Sequence, residues 1–236
     1  MSNLVYIIKV LLRRGPGFIL LYLRESLAFD VCHGTNTHLR VPKAHAHARG
    51  ADFQDGVLYV ASLTSVVRRT LAVAEAALGE TAFRDAQFFD LGCGKGKALL
   101  VYAMRYGPQA NHTPVGIEYE PSLCEIARAN ALKVKPAGKG IKVHCDSALN
   151  FECYRTGATL VIYLYNPFGG QTLRSVLAVM AKYPHVLIYV DPVERGILAE
   201  FNYTIMELQE GRYHANTWLV ATSAVYDGRL VATDLA

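Results

Sequence analysis

A glycine-rich turn between a strand and a helix is the feature that most limits what this chain can fold into. Phe88, Phe89 and Leu91 give residues 88–91 the pattern of a buried strand, which ends at Gly92-Cys93-Gly94-Lys95-Gly96, and residues 97–106 then have a helical pattern. Glycine is favoured at such a turn because the backbone bends sharply and leaves no Cβ between itself and a ligand. Taken alone, the same residues are also consistent with a tight turn that holds no ligand.

From residue 87 onward, apolar runs of strand length alternate with helical segments. This alternation is typical of a mostly parallel sheet covered by helices. The five predicted parallel strands are residues 88–91, 114–118, 141–145, 159–165 and 186–190. Residues 203–208 and 217–225, separated by a polar stretch, predict an antiparallel pair at the edge of the sheet.

The main domain is predicted to begin at residue 62 and to run to residue 236. Its first element is a helix over residues 62–78, with Ser62 as the N-terminal cap and Gly79 as the stop. Residues 1–61 are predicted to form a helical extension that packs over the site as a lid. The apolar runs of this extension are shorter than the roughly 20 residues that a membrane-spanning helix needs, and no signal peptide is evident. Peripheral contact with a membrane surface is the alternative.

Composition excludes several classes of protein. The hydrophobic fraction of 52% and the charged fraction of 19% are typical of a folded chain. The net charge of +4 is spread along the sequence, so we expect no nucleic-acid partner. The five cysteines form no Cys-x-x-Cys pair, which predicts reduced thiols, a cytoplasmic protein and no metal site. Four histidines between residues 30 and 56 are interpreted as polar loop residues, with a metal or acid-base cluster as the alternative.

Polar side chains follow four of the predicted strands. Asp90, Glu118, Asp146 and Asn166 all stand at carboxyl ends, where open α/β sheets bind their ligands. Glu118 is suited to the hydroxyls of a ribose, and Asp146 with the adjacent Ser147 to an adenine amino group. The set therefore favours a nucleoside ligand, although Glu118 alone is equally well explained as a helix cap.

The acid that precedes the glycines helps to choose the cofactor. A nicotinamide fold usually has Gly-x-Gly-x-x-Gly without a carboxylate, whereas here Gly-x-Gly-x-Gly follows Asp90. S-adenosylmethionine has no phosphate and carries an amino group and a sulfonium, so Asp90 can hold its amino group. Lys95 and Lys97 begin a helix, where positive charge opposes the helix dipole, and they are interpreted as solvated or as reaching the cofactor's carboxylate.

These motifs resemble those of class I S-adenosylmethionine-dependent methyltransferases. The resemblance rests on the segment from Asp90 to Gly96, on Val115-Gly116-Ile117-Glu118, on Asp146 and on Tyr163-Leu164-Tyr165-Asn166-Pro167-Phe168, and it covers residues 62–224. A narrower group of small bacterial methyltransferases is similar in Phe29-Asp30 with His33-Gly34-Thr35, in the Gly-Cys-Gly-Lys-Gly loop and in Asn166-Pro167-Phe168. The family implies a Rossmann-like, doubly wound α/β fold with a mostly parallel seven-stranded sheet. The residues it implies for the cofactor are Asp90, Gly92, Cys93, Gly94, Gly96, Glu118, Tyr119, Asp146, Ser147 and Asn166.

Asn166, Pro167 and Phe168 are the predicted catalytic residues. They resemble the Asn-Pro-Pro-aromatic motif of enzymes that methylate nitrogen, except that the second proline is missing. Simple termination of the strand is the alternative. The resulting prediction is N-methylation of an amino group on a small molecule or a protein. A non-catalytic module that binds S-adenosylmethionine or S-adenosylhomocysteine, and an O-methyltransferase, are the other functions kept open, and the oligomeric state is left open as well.

Overall fold

The structure is a computed structural model and describes residues 16–38, 59–134 and 140–226. The helices are Pro16–Tyr22 (α1), Ala28–His33 (α2), Thr64–Leu78 (α3), Glu80–Asp85 (α4), Lys97–Tyr106 (α5), Pro121–Lys133 (α6) and Gly170–Met180 (α7). The strands are Gln87–Leu91 (β1), Val115–Glu118 (β2), Lys142–Cys145 (β3), Leu160–Tyr165 (β4), His185–Val190 (β5), Thr204–Gln209 (β6) and Trp218–Thr222 (β7). A π-helical turn, Leu23–Leu27, joins α1 to α2, and short 3-10 helices cover Ala148–Tyr154, Arg195–Phe201 and His214–Asn216.

The seven strands form one sheet in the order β3-β2-β1-β4-β5-β7-β6. Strands β1 to β5 pair in parallel, and β7 runs antiparallel to both β5 and β6. The predicted fold, a mostly parallel doubly wound sheet with a C-terminal antiparallel hairpin, is therefore confirmed. The strand order reverses between β1 and β4, and a crevice at such a switch point is where these sheets bind ligands.

Helices cover both faces of the sheet, so the central strands are apolar on both sides. Phe88 stacks on Tyr102 of α5 with ring centroids 4.3 Å apart. The next residue, Phe89, faces the opposite side and meets the edge of Phe151 at 5.6 Å. This alternation, which follows from the two-residue period of a strand, places one apolar cluster on each face and holds the end of β1 rigidly between them.

The N-terminal end of α3 is capped by a residue from the N-terminal segment. Helix α3 begins at Thr64, and the predicted cap, Ser62, instead accepts a hydrogen bond from the hydroxyl of Tyr163 at 3.1 Å. Glu25 takes its place: its carboxylate accepts the N–H of Ser65 at 2.8 Å, and its carbonyl accepts the hydroxyl of Thr64 at 3.0 Å. The segment that includes Glu25 is thereby docked on the main domain.

Some predictions for the N-terminal region fall on parts of the chain that the structure does not describe. The apolar run at residues 4–12 and the histidines at 45 and 47 lie outside the described residues. Across residues 16–38, 59–134 and 140–226, no helix is long and apolar enough to cross a membrane.

Candidate functional site

The glycine turn adopts backbone conformations that residues with a side chain rarely take. The φ angles of Gly92, Gly94 and Gly96 are 76°, 53° and 81°. The turn is tied to the neighbouring strand because the N–H groups of Gly92 and Cys93 both donate to the carbonyl of Ile117, at 2.8 and 3.0 Å. The side chain of Cys93 packs towards Gly116, where an added Cβ would lie 2.8 Å from its sulfur. The backbone of the turn is thus held against β2.

Glu118 braces this turn from the end of β2. Its Oε2 accepts the N–H of Gly94 at 2.8 Å, and its Oε1 accepts the N–H of Glu120 at 2.9 Å. The N-terminal cap of α6 is Glu120, whose carboxylate accepts the N–H of Ser122. The helix-cap explanation for Glu118 is therefore wrong, and its carboxylate faces the glycine turn.

Asp90 and Glu118 form an electrostatically costly pair. Asp90 is only 4% exposed, and its pKa is raised well above the usual value, first by burial and then by the charge of Glu118. Burial also raises the pKa of Glu118. Hydrogen bonds from the N–H groups of Glu120, Gly94 and Tyr119 lower this pKa, but burial has the larger effect. Two acids in this environment favour a bound proton or another cation beside the turn.

Tyr59, just ahead of α3, lies directly on the glycine turn; the sequence left open whether it reaches the cofactor or acceptor site or is an ordinary core tyrosine. A Cβ added at Gly94 would stand 2.3 Å from the Tyr59 ring. The Tyr59 hydroxyl donates to the carbonyl of Thr37, and burial followed by the charge of Asp30 raises its pKa, so the hydroxyl stays protonated. Gly94 therefore provides room for an aromatic side chain between the turn and the N-terminal segment.

Asp30 organises the part of the N-terminal segment that lies over the turn. Its carboxylate accepts the hydroxyls of Thr35 and Thr37 at 2.5 and 2.8 Å, the N–H groups of Thr37 and His38 at 2.7 and 2.9 Å, and the ring of His38. Burial raises the pKa of Asp30, but these hydrogen bonds outweigh it and bring the pKa to about 2. The ring of His33 bonds to the carbonyl of Phe29 at 2.8 Å, so both described histidines of this region have structural partners.

Two buried lysines join the glycine turn to the N-terminal segment. Lys95 and Lys97 are 1% and 2% exposed, so the interpretation that they are solvated is wrong. The ammonium of Lys95 donates to Oδ1 of Asn36 at 3.2 Å, and that of Lys97 donates to the carbonyl of Glu25 at 2.5 Å. Burial lowers the pKa of Lys97 to about 8. Asn130 of α6 completes the connection, because its amide donates to the carbonyls of Lys95 and Asn36.

Asp146 and Ser147 lie at the end of β3, in line with Glu118 along the sheet edge. The N–H of Asp146 donates to the carbonyl of Glu118 at 3.0 Å. The Asp146 carboxylate accepts the N–H of Ser147 at 2.7 Å, the amide of Asn150 at 2.9 Å and the hydroxyl of Tyr154 at 2.7 Å. Burial raises the pKa of Asp146, yet these hydrogen bonds lower it below the usual value. This carboxylate is therefore ionised and held at a fixed orientation.

The segment after β4 contacts the glycine turn. A Cβ added at Gly92 would lie 2.4 Å from the Cβ of Pro167. Asn166 has a φ of 38°, and its amide nitrogen donates to Oδ2 of Asp191 at 3.3 Å. Phe168 is partly buried and packs against the apolar cluster on the α7 side of the sheet. The structure thus brings Pro167 to the turn and Asn166 to Asp191, whereas the Phe168 ring is partly used in packing.

Asp191 and His214 extend the same edge and were missed in the sequence. Asp191 follows β5, and its Oδ1 lies 3.3 Å from Nδ1 of His214, which begins the 3-10 helix before β7. The one signal for Asp191 was its place directly after an apolar strand, as for Asn166. His214 had no such signal, because it lies in the polar connection of the hairpin.

No protein-family model matches the chain, and no curated protein matches it. Solved structures with a similar fold include an RNA methyltransferase from Salinibacter ruber in complex with S-adenosyl-L-homocysteine, which is 16% identical with a TM-score of 0.45 over 70% of this chain and 94% of that chain. A magnesium protoporphyrin IX methyltransferase from Synechocystis with bound S-adenosylmethionine is 12% identical with a TM-score of 0.47, over 88% and 96%. Ribosomal protein L11 methylase from Lactobacillus delbrueckii is 12% identical with a TM-score of 0.45, over 66% and 78%. Similarities this low do not indicate what this chain binds.

Proposed function

We propose that this chain is an S-adenosylmethionine-dependent methyltransferase. The observation that carries the proposal is the pair of acids, Asp90 and Glu118, beside the glycine turn. The cofactor has a sulfonium and an ammonium against one carboxylate, so it is a net cation. A cation next to the two acids favours their ionised forms and offsets the effect of burial, whereas a pyrophosphate would add to the repulsion.

The predicted cofactor residues follow one another along the sheet edge. In this proposal Asp90 binds the amino group, Glu118 the ribose hydroxyls, and Asp146 with Ser147 the adenine amino group. Gly92, Cys93, Gly94, Gly96 and Tyr119 line the space between them, and Asn166 closes it on the side of the transferred methyl group. Glu118 is held beside the glycine turn because its Oε2 accepts the N–H of Gly94 and its Oε1 accepts the N–H of Glu120, and this position supports the ribose assignment.

The acceptor side of the proposed site is formed by Asn166, Pro167 and Phe168. Contact between Pro167 and Gly92 supports their place beside the methyl donor. The bound cofactor supplies a methyl group that is already activated by the positive sulfur. The protein then has to align the acceptor with that methyl group, an effect that lowers the barrier by several kcal/mol.

The proposed acceptor is an amino group on a small molecule or a protein. Asp191 accepts from the amide nitrogen of Asn166, which leaves Oδ1 of Asn166 as the atom that can accept a hydrogen bond from a substrate N–H. The five cysteines are all free, which supports a reducing compartment, and we place the reaction in the cytoplasm.

Calorimetric titration with S-adenosylmethionine, S-adenosylhomocysteine and a nicotinamide dinucleotide tests the cofactor. We expect binding of the first two only, and at least about tenfold weaker binding of S-adenosylmethionine by Asp90→Asn, because a buried charge-assisted contact is lost. Asp85→Asn, which changes an exposed acid near the start of β1, is the matched control and should bind normally. Binding of the dinucleotide alone would overturn the proposal.

Transfer of labelled methyl groups into a cell extract tests the reaction. The extract is divided into small-molecule, protein and nucleic-acid fractions, and Asp90→Asn serves as the inactive control. Label in the small-molecule or protein fraction, on amino nitrogen, is the expected result. Label in nucleic acid would overturn the proposed acceptor, and cofactor binding without label in any fraction would favour the non-catalytic module.

A further inference from the structure

Asn166, Asp191 and His214 come from three separate elements and meet on the acceptor half of the sheet edge. Asn166 follows β4, Asp191 follows the adjacent strand β5, and His214 lies in the connection before β7. The Asp191 carboxylate is the centre of the group: its Oδ2 accepts from Nδ2 of Asn166 and its Oδ1 faces Nδ1 of His214, each at 3.3 Å. The N–H of Asp191 donates to the carbonyl of Thr217 at 2.8 Å, which fixes the residue against β7.

Backbone strain is concentrated in two members of this group. Asn166 and Asp191 have φ angles of 38° and 50°, in the left-handed region that most residues with a side chain avoid and that asparagine and aspartate tolerate better than others. Such conformations are unfavourable and persist at functional sites, where the surroundings impose them. Two neighbouring strands therefore both end in a strained residue whose side chain is directed at the other.

Hydrogen bonding fixes the orientation of the Asn166 amide. A carboxylate only accepts hydrogen bonds, so the atom of Asn166 that faces Asp191 is the nitrogen, and the amide oxygen is left as an acceptor. Asp191 keeps 20% of its side chain exposed, and His214 keeps 77%. Arg195, four residues after Asp191, is engaged with Glu210 at 2.8 Å, and Arg212, two residues before His214, lies over the Tyr213 ring.

We propose that Asp191 and Asn166 bind a primary amine as its ammonium ion, and that His214 takes up the proton released before methyl transfer. The inference rests on the proposed function and names its acceptor class. A carboxylate and an amide oxygen side by side match the three N–H donors and the positive charge of an ammonium group. A phosphate would be repelled by the Asp191 carboxylate, and a neutral amide would leave the negative charge of that carboxylate uncompensated.

The chemistry balances in three steps. The ammonium transfers one proton to Nε2 of His214, whose Nδ1 lies 3.3 Å from Oδ1 of Asp191, and this leaves a neutral amine with a lone pair. The lone pair forms the new C–N bond as the C–S bond of the sulfonium breaks, and the electrons of that bond remain on the neutral thioether. The product is a methylated ammonium ion, and His214 returns its proton to water.

Binding of a simple amine tests the recognition without knowledge of the natural acceptor. The protein is saturated with S-adenosylhomocysteine and titrated with n-butylammonium chloride or n-butanol, while the NMR signals of the Asn166 amide and the His214 ring are followed. We expect shifts with the ammonium ion only, and at least about tenfold weaker binding by Asp191→Asn, since asparagine tolerates the left-handed backbone but removes the charge. Glu200→Gln, at an exposed acid on the helix after β5, is the control that leaves binding unchanged.

Each result decides a different point. Equal shifts with butanol, no shifts with either probe, or unchanged affinity in Asp191→Asn would overturn the ammonium site. Failure of S-adenosylhomocysteine to bind would overturn the proposed function instead.

In the labelling experiment, wild type should label primary amines, and His214→Gln should lower kcat at least about hundredfold with n-butylammonium affinity unchanged. Label absent from amines would overturn the acceptor class, and an unchanged kcat would overturn the role of His214.

Discussion

Pro167 rests directly on Gly92, so closely that a Cβ at Gly92 would stand 2.4 Å from the Cβ of the proline. One residue belongs to the turn proposed for the cofactor and the other to the segment proposed for the acceptor. No space for a methyl group separates the two halves of the site. A small displacement of either segment is therefore transmitted to the other.

Gly92→Ala is expected to lower methyl transfer at least about hundredfold, because the added Cβ displaces Pro167 and with it the alignment of the acceptor. Cofactor affinity should fall much less, and the two effects are separated by single-turnover assays at saturating cofactor. Gly34→Ala is the control: its φ of 66° is also left-handed, but nothing lies within 4 Å of the added Cβ. It should cost about 1–2 kcal/mol of stability and leave transfer at the wild-type rate. Equal losses in both variants would contradict the contact argument.

Cofactor binding is expected to release protons. The pKa values of Asp90 and Glu118 are raised in the free protein, and a cationic ligand favours their ionised forms, so affinity should increase with pH and level off above those pKa values. Calorimetry in two buffers of different ionisation enthalpy measures the number of protons released. Asp90→Asn should show a weaker pH dependence. Affinity that falls as pH rises would contradict the assignment of the acid pair.

His185 is expected to make the fold sensitive to acid. It is fully buried, with its ring between the Tyr183 carbonyl and the Tyr203 hydroxyl, and burial lowers its pKa to about 4. Below about pH 6.5, the usual pKa of histidine, the unfolded chain binds a proton at this residue that the native state does not bind. The free energy of unfolding therefore decreases by about 3 kcal/mol between about pH 6.5 and 4. Urea unfolding across this range measures the slope. His185→Gln should flatten it, whereas His112→Gln, at a more exposed histidine, should not.

Asp30→Asn is expected to loosen the N-terminal segment. The pKa of Asp30 is about 2, so its ionised form contributes about 2–3 kcal/mol above its unfolded pKa, and this contribution is lost as the pH falls from about 4 to 2. Hydrogen exchange at neutral pH should show faster exchange of the Thr37 and His38 amides in the variant. Asp85→Asn should leave those amides as protected as in wild type. Unchanged protection in Asp30→Asn would show that the threonine and histidine contacts do not depend on the charge.

The alternation of apolar strands and helices was sufficient to predict the sheet and its hairpin. Each central strand is buried on both faces, so it is a continuous run of apolar residues in the sequence, as in residues 159–165. Such a run can be recognised without knowledge of distant contacts. The polar residues that end these strands, from Asp90 to Asn166, were predicted for the same local reason. The helix boundary at Ser62 was wrong because the true cap, Glu25, is about 40 residues away.

Contacts between distant residues account for what could not be predicted. Asn130 bonds to Asn36 across 94 residues, and Lys97 bonds to Glu25 across 72. Neither contact leaves a periodic pattern, and a lysine at the start of a helix has the same appearance whether it is buried or solvated. Asp191 and His214 are related in the same way, because their meeting depends on the pairing of β5 with β7.

The docking of the N-terminal segment also has a consequence for the nascent chain. Asp30 and its partners lie within eight residues of one another, so their turn can close as soon as it leaves the ribosome. The amide of Asn130, in contrast, is translated 94 residues after Asn36. Because domains form as their residues emerge from the ribosome, the N-terminal segment can dock over the glycine turn only after more than half of the chain has been synthesised.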